Sequence, residues 1–164
     1  MRKTASSIII LTMIFLAACQ SNRGENETDN LFGFPQAAAG SGDAMTDAKS
    51  AFRSGQYEDA YRLYEGLARR APDNAEAWLG YAAAADQLGR FRTADAAYGQ
   101  LFRLRPRSAQ VHNNVGYSHL LRGDLQNASR HLETARQLAP LSSVISNNIK
   151  ILQARRANSA KESN

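Results

Sequence analysis

A spacing of 34 residues governs this chain. Gly55, Gly89 and Gly123 fall 34 apart, and so do Ala60, Ala94 and Ala128, and Pro72, Pro106 and Pro140. Large residues keep the same register. Tyr57, Phe91 and Leu125 stand two after each glycine, and Tyr64, Tyr98 and Leu132 stand eight before each proline. Leu67 and Leu101, with the smaller Ala135, hold the place five before it. A fixed period of this length means one supersecondary unit repeated, each copy burying its apolar face against the next.

Each unit reads as two helices. In the middle copy, Asp73-Asn74-Ala75-Glu76 has the form of an N-cap followed by an acid in the first turn. Trp78, Tyr81, Ala82, Ala85 and Leu88 then recur at steps of three and four, which is one helical face. Gly89 can take the left-handed conformation that closes a helix. A second face follows in Phe91, Ala94, Ala97, Tyr98, Leu101 and Phe102, and Pro106 cannot continue it. Alanine, leucine and arginine are prominent while isoleucine and valine are sparse after residue 20, which favours helix over strand. The units run approximately 41–74, 75–108 and 109–142. Residues 142–157 match only the first half of a unit: Ser142, Ile145, Asn147, Asn148 and Ile149 echo Ser108, Val111, Asn113, Asn114 and Val115. Lys150, Arg155 and Arg156 give this piece the polar side of a terminal cap. A repeat domain over 43–157 is expected, with a disordered tail over 158–164.

These columns resemble the tetratricopeptide repeat. With Trp78 at that family's fourth position, Tyr81 and Ala82 fall at the seventh and eighth, Ala94 at the twentieth, Tyr98 at the twenty-fourth and Pro106 at the thirty-second. The resemblance implies an all-α fold, a solenoid of three helix-turn-helix repeats plus a C-terminal capping helix. It implies that Ala48, Ala82 and Gly116 let helices approach closely. It also implies a concave face built by the first helix of each pair, where a protein or peptide segment binds. Carrying the family's groove positions over gives Lys49 and Arg53 in the first unit, Leu79, Asp86 and Gln87 in the second, and Gln110, Asn113, Asn114 and Tyr117 in the third. Asn147 and Asn148 belong to the cap. Some members hold a partner's terminal carboxylate with Lys, Asn and Arg, and Lys49 with Asn114 match that pattern in part. The two asparagine pairs admit two readings. Their amides can grip an extended peptide backbone, or Asn114 and Asn148 can bond neighbouring helices while Asn113 and Asn147 face solvent.

The N-terminus reads as an address. Met1-Arg2-Lys3 is basic, and Ser7 to Ala18 is apolar except for Ser7 and Thr12. That run is about a dozen residues, short of the roughly 20 a spanning helix needs, and has the form of a secretory signal peptide. It ends in Leu16-Ala17-Ala18-Cys19, which resembles the bacterial lipobox. That resemblance implies cleavage after residue 18, lipid on Cys19 and, with Gln20 rather than aspartate next, sorting to the outer membrane. Acyl chains would hold the protein there at about 0.8 kcal/mol per buried CH₂. Residues 19–42 read as a flexible tether, with Leu31, Phe32 and Phe34 as its apolar exceptions.

No sequence pattern of catalysis is present: no Gly-rich phosphate loop, no HExxH, no Gly-x-Ser-x-Gly. His112 and His119 lie seven apart, about 10 Å along a helix, and with His131 read as packing or surface residues. No cofactor, metal or small-molecule substrate is expected beyond the covalent lipid. The net charge of +5 is mostly arginine, is scattered, and drops by two if Arg2 and Lys3 are removed, so nucleic acid is not an expected partner. A small repeat lipoprotein of this kind is similar to the TadD-type lipoprotein of tight-adherence (Tad/Flp) pilus systems and to pilotin-like lipoproteins that help assemble a secretin. The expectation is an outer-membrane scaffold facing the periplasm. An adaptor of cell-wall enzymes, or a cytoplasmic chaperone if the N-terminus is not a lipobox, are the alternatives.

Overall fold

The computed structural model describes residues 44–162, which form seven helices and no strand. They are α1 Ala44–Arg53, α2 Tyr57–Arg70, α3 Ala75–Gln87, α4 Phe91–Leu104, α5 Ala109–Leu121, α6 Leu125–Leu138 and α7 Ser143–Glu162. The expected signal peptide, Cys19 and the expected tether over 19–42 lie outside the described residues. None of the described helices is long and apolar enough to cross a membrane.

The repeat columns explain the boundaries. At the end of each odd helix the chain turns through a glycine with positive φ, +73° at Gly55, +69° at Gly89 and +77° at Gly123. In each case the next amide donates back five residues, Gln56 to Ala51 at 2.9 Å, Arg90 to Ala85 at 2.8 Å and Asp124 to His119 at 2.9 Å. This is the left-handed closure that a side chain would strain. At the start of α3, Asn74 Oδ1 accepts from the amides of Glu76 and Ala77 at 3.0 and 3.1 Å. Ser108 caps α5 through Val111 N at 3.3 Å, and Ser142 caps α7 through Ile145 N at 3.4 Å. Such caps satisfy amides that have no partner within the helix. One expectation is corrected here. The cap is a 20-residue helix to Glu162, so the stretch expected to be a disordered tail continues the helix for five residues beyond 157.

The hairpins α1–α2, α3–α4 and α5–α6 stack in order, with α7 against α6. The odd helices also touch one another in succession, α1 to α3, α3 to α5 and α5 to α7. They therefore line the inner side of the stack, and the even helices form the outer side. Small residues make this possible. Ala48, Ala60, Ala82, Ala94 and Ala128 are fully buried. A Cβ on Gly80 would lie 2.3 Å from the Tyr64 ring, and one on Gly116 would lie 2.7 Å from Leu132 Cγ. Those two contacts pin α2 to α3 and α5 to α6 at backbone distance. Leu132, fully buried, contributes about 1.5–3 kcal/mol through burial alone.

The junction between the second and third units departs from this pattern. The place of Gly80 is taken one repeat later by Asn114, whose side chain is fully buried. There α4 meets α5 more sparsely than α2 meets α3.

Candidate binding groove

At this looser junction a cleft of about 320 Å³ opens between α3, α4 and α5. Leu79, Leu101 and Val111 form its apolar floor, and Glu76, Arg105, Ser108 and Gln110 its polar rim. It sits on the side of the odd helices, beside the Lys49–Glu76 ion pair of 2.7 Å that ties α1 to α3. Gln110 and Arg105 are exposed, Arg53 is half-buried, and Leu79 reaches the cleft while remaining 5% exposed.

Further along, the inner side is filled by the protein's own side chains. Phe52, Ala83, Tyr117, Leu120 and Leu152 belong to one buried cluster running from α1 to α7. Gln87 is half-buried against Tyr117. Arg155 of α7 reaches the carbonyl of Leu120.

The asparagine pairs divide between the two readings. Asn148 Nδ2 donates to Asn113 Oδ1 at 2.9 Å, and Asn113 Nδ2 donates to Asn114 Oδ1 at 3.2 Å. All three are buried, at 2% exposure for Asn113 and none for Asn114 and Asn148. They clasp α5 to α7 and do not line an open surface; the expectation of a solvated Asn113 is corrected with it. Asn147 is exposed and remains available to a ligand. The carboxylate-gripping pattern is not assembled either, because Lys49 is held by Glu76 and Asn114 lies inside the stack.

Asp86, expected in the groove, is turned into the interior and is 3% exposed. Its carboxylate accepts the Tyr98 hydroxyl at 2.9 Å and the Ser118 hydroxyl at 2.6 Å. Arg122 donates to Ser118 Oγ at 2.6 Å and grips Asp95 through both its Nη atoms, at 2.6 and 2.9 Å. The five side chains bridge α3, α4, α5 and the turn before α6. Burial lifts the Asp86 carboxyl to about 6, while the two hydroxyl donors and the nearby Arg122 pull it back down. The signal was in the columns: Asp86 stands where the other units have Phe52 and Leu120, both buried. An acid in a core column must be satisfied from within.

The histidines also come together. His131 of α6 lies between His112 and His119, with ring centroids 5.4 Å and 5.7 Å away. All three are half-buried, and burial lowers their basicity, most for His131, to about 4. Among the described residues no group of three or more His, Cys, Asp and Glu side chains is placed to hold one metal ion.

Residues 51–113 match the model of the tetratricopeptide repeat. Among curated proteins, none matches the chain. Among solved structures, the first TPR domain of human RPAP3 superposes with a TM-score of 0.63 at 18% identity, covering 72% of this chain and 93% of that one. The first TPR of Spaghetti (RPAP3), bound to the HSP90 peptide SRMEEVD, gives 0.60 at 18% identity, over 70% and 90% of the two chains. A type III secretion (T3SS) complex from Aeromonas hydrophila gives 0.60 at 18% identity, over 71% and 81%. The fold is therefore the all-α tetratricopeptide solenoid that the resemblance implied.

Proposed function

We propose that this chain is a protein-binding scaffold, tethered to a bacterial outer membrane through lipid on Cys19, that holds a segment of a pilus or secretin assembly component against its odd helices. The observation that carries the binding part is the cleft between α3, α4 and α5, with Leu79, Leu101 and Val111 below a rim of Glu76, Arg105, Ser108 and Gln110. An apolar floor with a few polar groups at its edge takes a side chain of a bound polypeptide and fixes the orientation of its backbone. The solved relative with a bound HSP90 peptide and the one in a secretion complex support a protein partner for this fold. The fold itself does not select which one.

The membrane part rests on the Leu16-Ala17-Ala18-Cys19 sequence, and no enzymatic role is assigned. Copurification from cells carrying a Tad/Flp-type pilus tests the reading. The native chain is expected to bring down the secretin or a pilus assembly component, and an Arg105→Glu/Gln110→Arg variant to lose it while remaining helical. Labelled palmitate is expected on the native chain and not on Cys19→Ser. Equal recovery by both groove forms would remove the cleft as the binding site.

A further inference from the structure

We infer that His112 and His131 form an open, two-nitrogen site for a divalent transition-metal ion on the third repeat. Their Nδ1 atoms face each other at 3.2 Å, one from α5 and one from α6. An ion bound at about 2.0–2.1 Å from two imidazole nitrogens separates them by about 3.3 Å when tetrahedral and by about 2.9 Å at a right angle. The observed separation falls between these values, so the distance suits an ion, which the two rings meet by turning their Nδ1 lone pairs about 35–45° off the line joining them.

The rings are fixed from both sides. Phe102 of α4 packs on His112 at 5.0 Å and on His131 at 6.1 Å between centroids. His119 stacks on His131 with only 17° between planes, and its Nδ1 lies 3.2 Å from Asp124 Oδ2. A pair of nitrogens pre-aligned in this way binds without the ordering cost that two free surface histidines would pay. Arg130 is near enough to His131 to disfavour positive charge there, while its guanidinium donates to Asn127 Oδ1.

Two neutral imidazoles select ions of the zinc, nickel and copper class over calcium or magnesium, which take oxygen ligands. With two protein ligands, the remaining coordination places are left to water or to a group of a partner. Without metal, one Nδ1–H is shared between the rings. Binding moves that proton to Nε2 of the same ring, so neutral rings release none. The bound ion would staple α5 to α6 through two side chains that do not line the cleft.

Titration of the full chain with Zn²⁺ alone, followed by calorimetry and by NMR of the histidine rings, tests this. One saturable equivalent is expected, with the His112 and His131 ring signals moving together. His112→Ala and His131→Ala are each expected to weaken binding about tenfold or more, and His119→Phe, which keeps the stack, to leave it within about twofold. The wild-type ring shifts identify the ligands even if an alanine variant fails to fold. Absence of saturable binding, or saturation in which the His112 and His131 signals do not move, would overturn the site.

Discussion

Asp86 offers a test with a calculable size. Its carboxyl titrates near 6 in the folded protein against an ordinary 3.8, because burial disfavours its charge more than Ser118 and Tyr98 can compensate. The folded state therefore binds this proton more tightly than the unfolded chain does. The associated stability is fully present below pH 3.8 and is lost as pH rises through about 6. A shift of about two units at 1.36 kcal/mol each gives about 3 kcal/mol over that window. An Asp86→Asn variant carries no such proton, and its remaining groups titrate much as in the native chain. The difference in unfolding free energy, variant minus native, is thus expected to grow by about 3 kcal/mol in favour of the variant from below pH 4 to pH 7. Urea titrations followed by helical circular dichroism at several pH values read it directly. A difference that stays constant from pH 4 to 7 would refute the claim that a charged carboxylate is held at a cost inside the second repeat.

Other substitutions probe the packing. Gly80→Ala would drive a methyl into the Tyr64 ring at 2.3 Å and is expected to cost about 1–3 kcal/mol in denaturant unfolding. Gly99→Ala in α4, where nothing lies within 4 Å, is expected to stabilise by about 0.5–1 kcal/mol. Leu132→Ala removes a fully buried side chain, at about 2–5 kcal/mol. Asn148→Ala removes the 2.9 Å bond to Asn113 Oδ1 and is expected to cost about 0.5–1.5 kcal/mol, with hydrogen exchange rising in α7 before the other helices.

The helices and their order were readable because glycine, alanine and proline columns report backbone requirements, and a backbone requirement recurs in every copy. Positive φ at Gly55, Gly89 and Gly123 is of that kind. What was not readable is where copies differ. Asn114 occupies the column of Gly80, and a family position placed it in the groove, yet its side chain is buried in the clasp between α5 and α7. Asp86 misled for the same reason, since a family position names a helical face but not the neighbour that satisfies a carboxylate there. The meeting of His131 with His112 and His119 depends on how α6 rotates against α5, and periodicity along one helix carries no information about that rotation. The cap runs past 157 because Ala157, Ala160, Lys161 and Glu162 favour helix and neither glycine nor proline interrupts it before the end of the described helix.

The proposed partner polypeptide lies against the odd helices at the cleft of the second and third repeats. Photocrosslinking in cells addresses it most directly, with a crosslinking residue placed in turn at exposed Gln110 on α5 and at exposed Gln126 on α6. A discrete crosslinked product from Gln110, absent from Gln126, is the predicted result. A product of equal yield from Gln126, or from Gln126 alone, would contradict it.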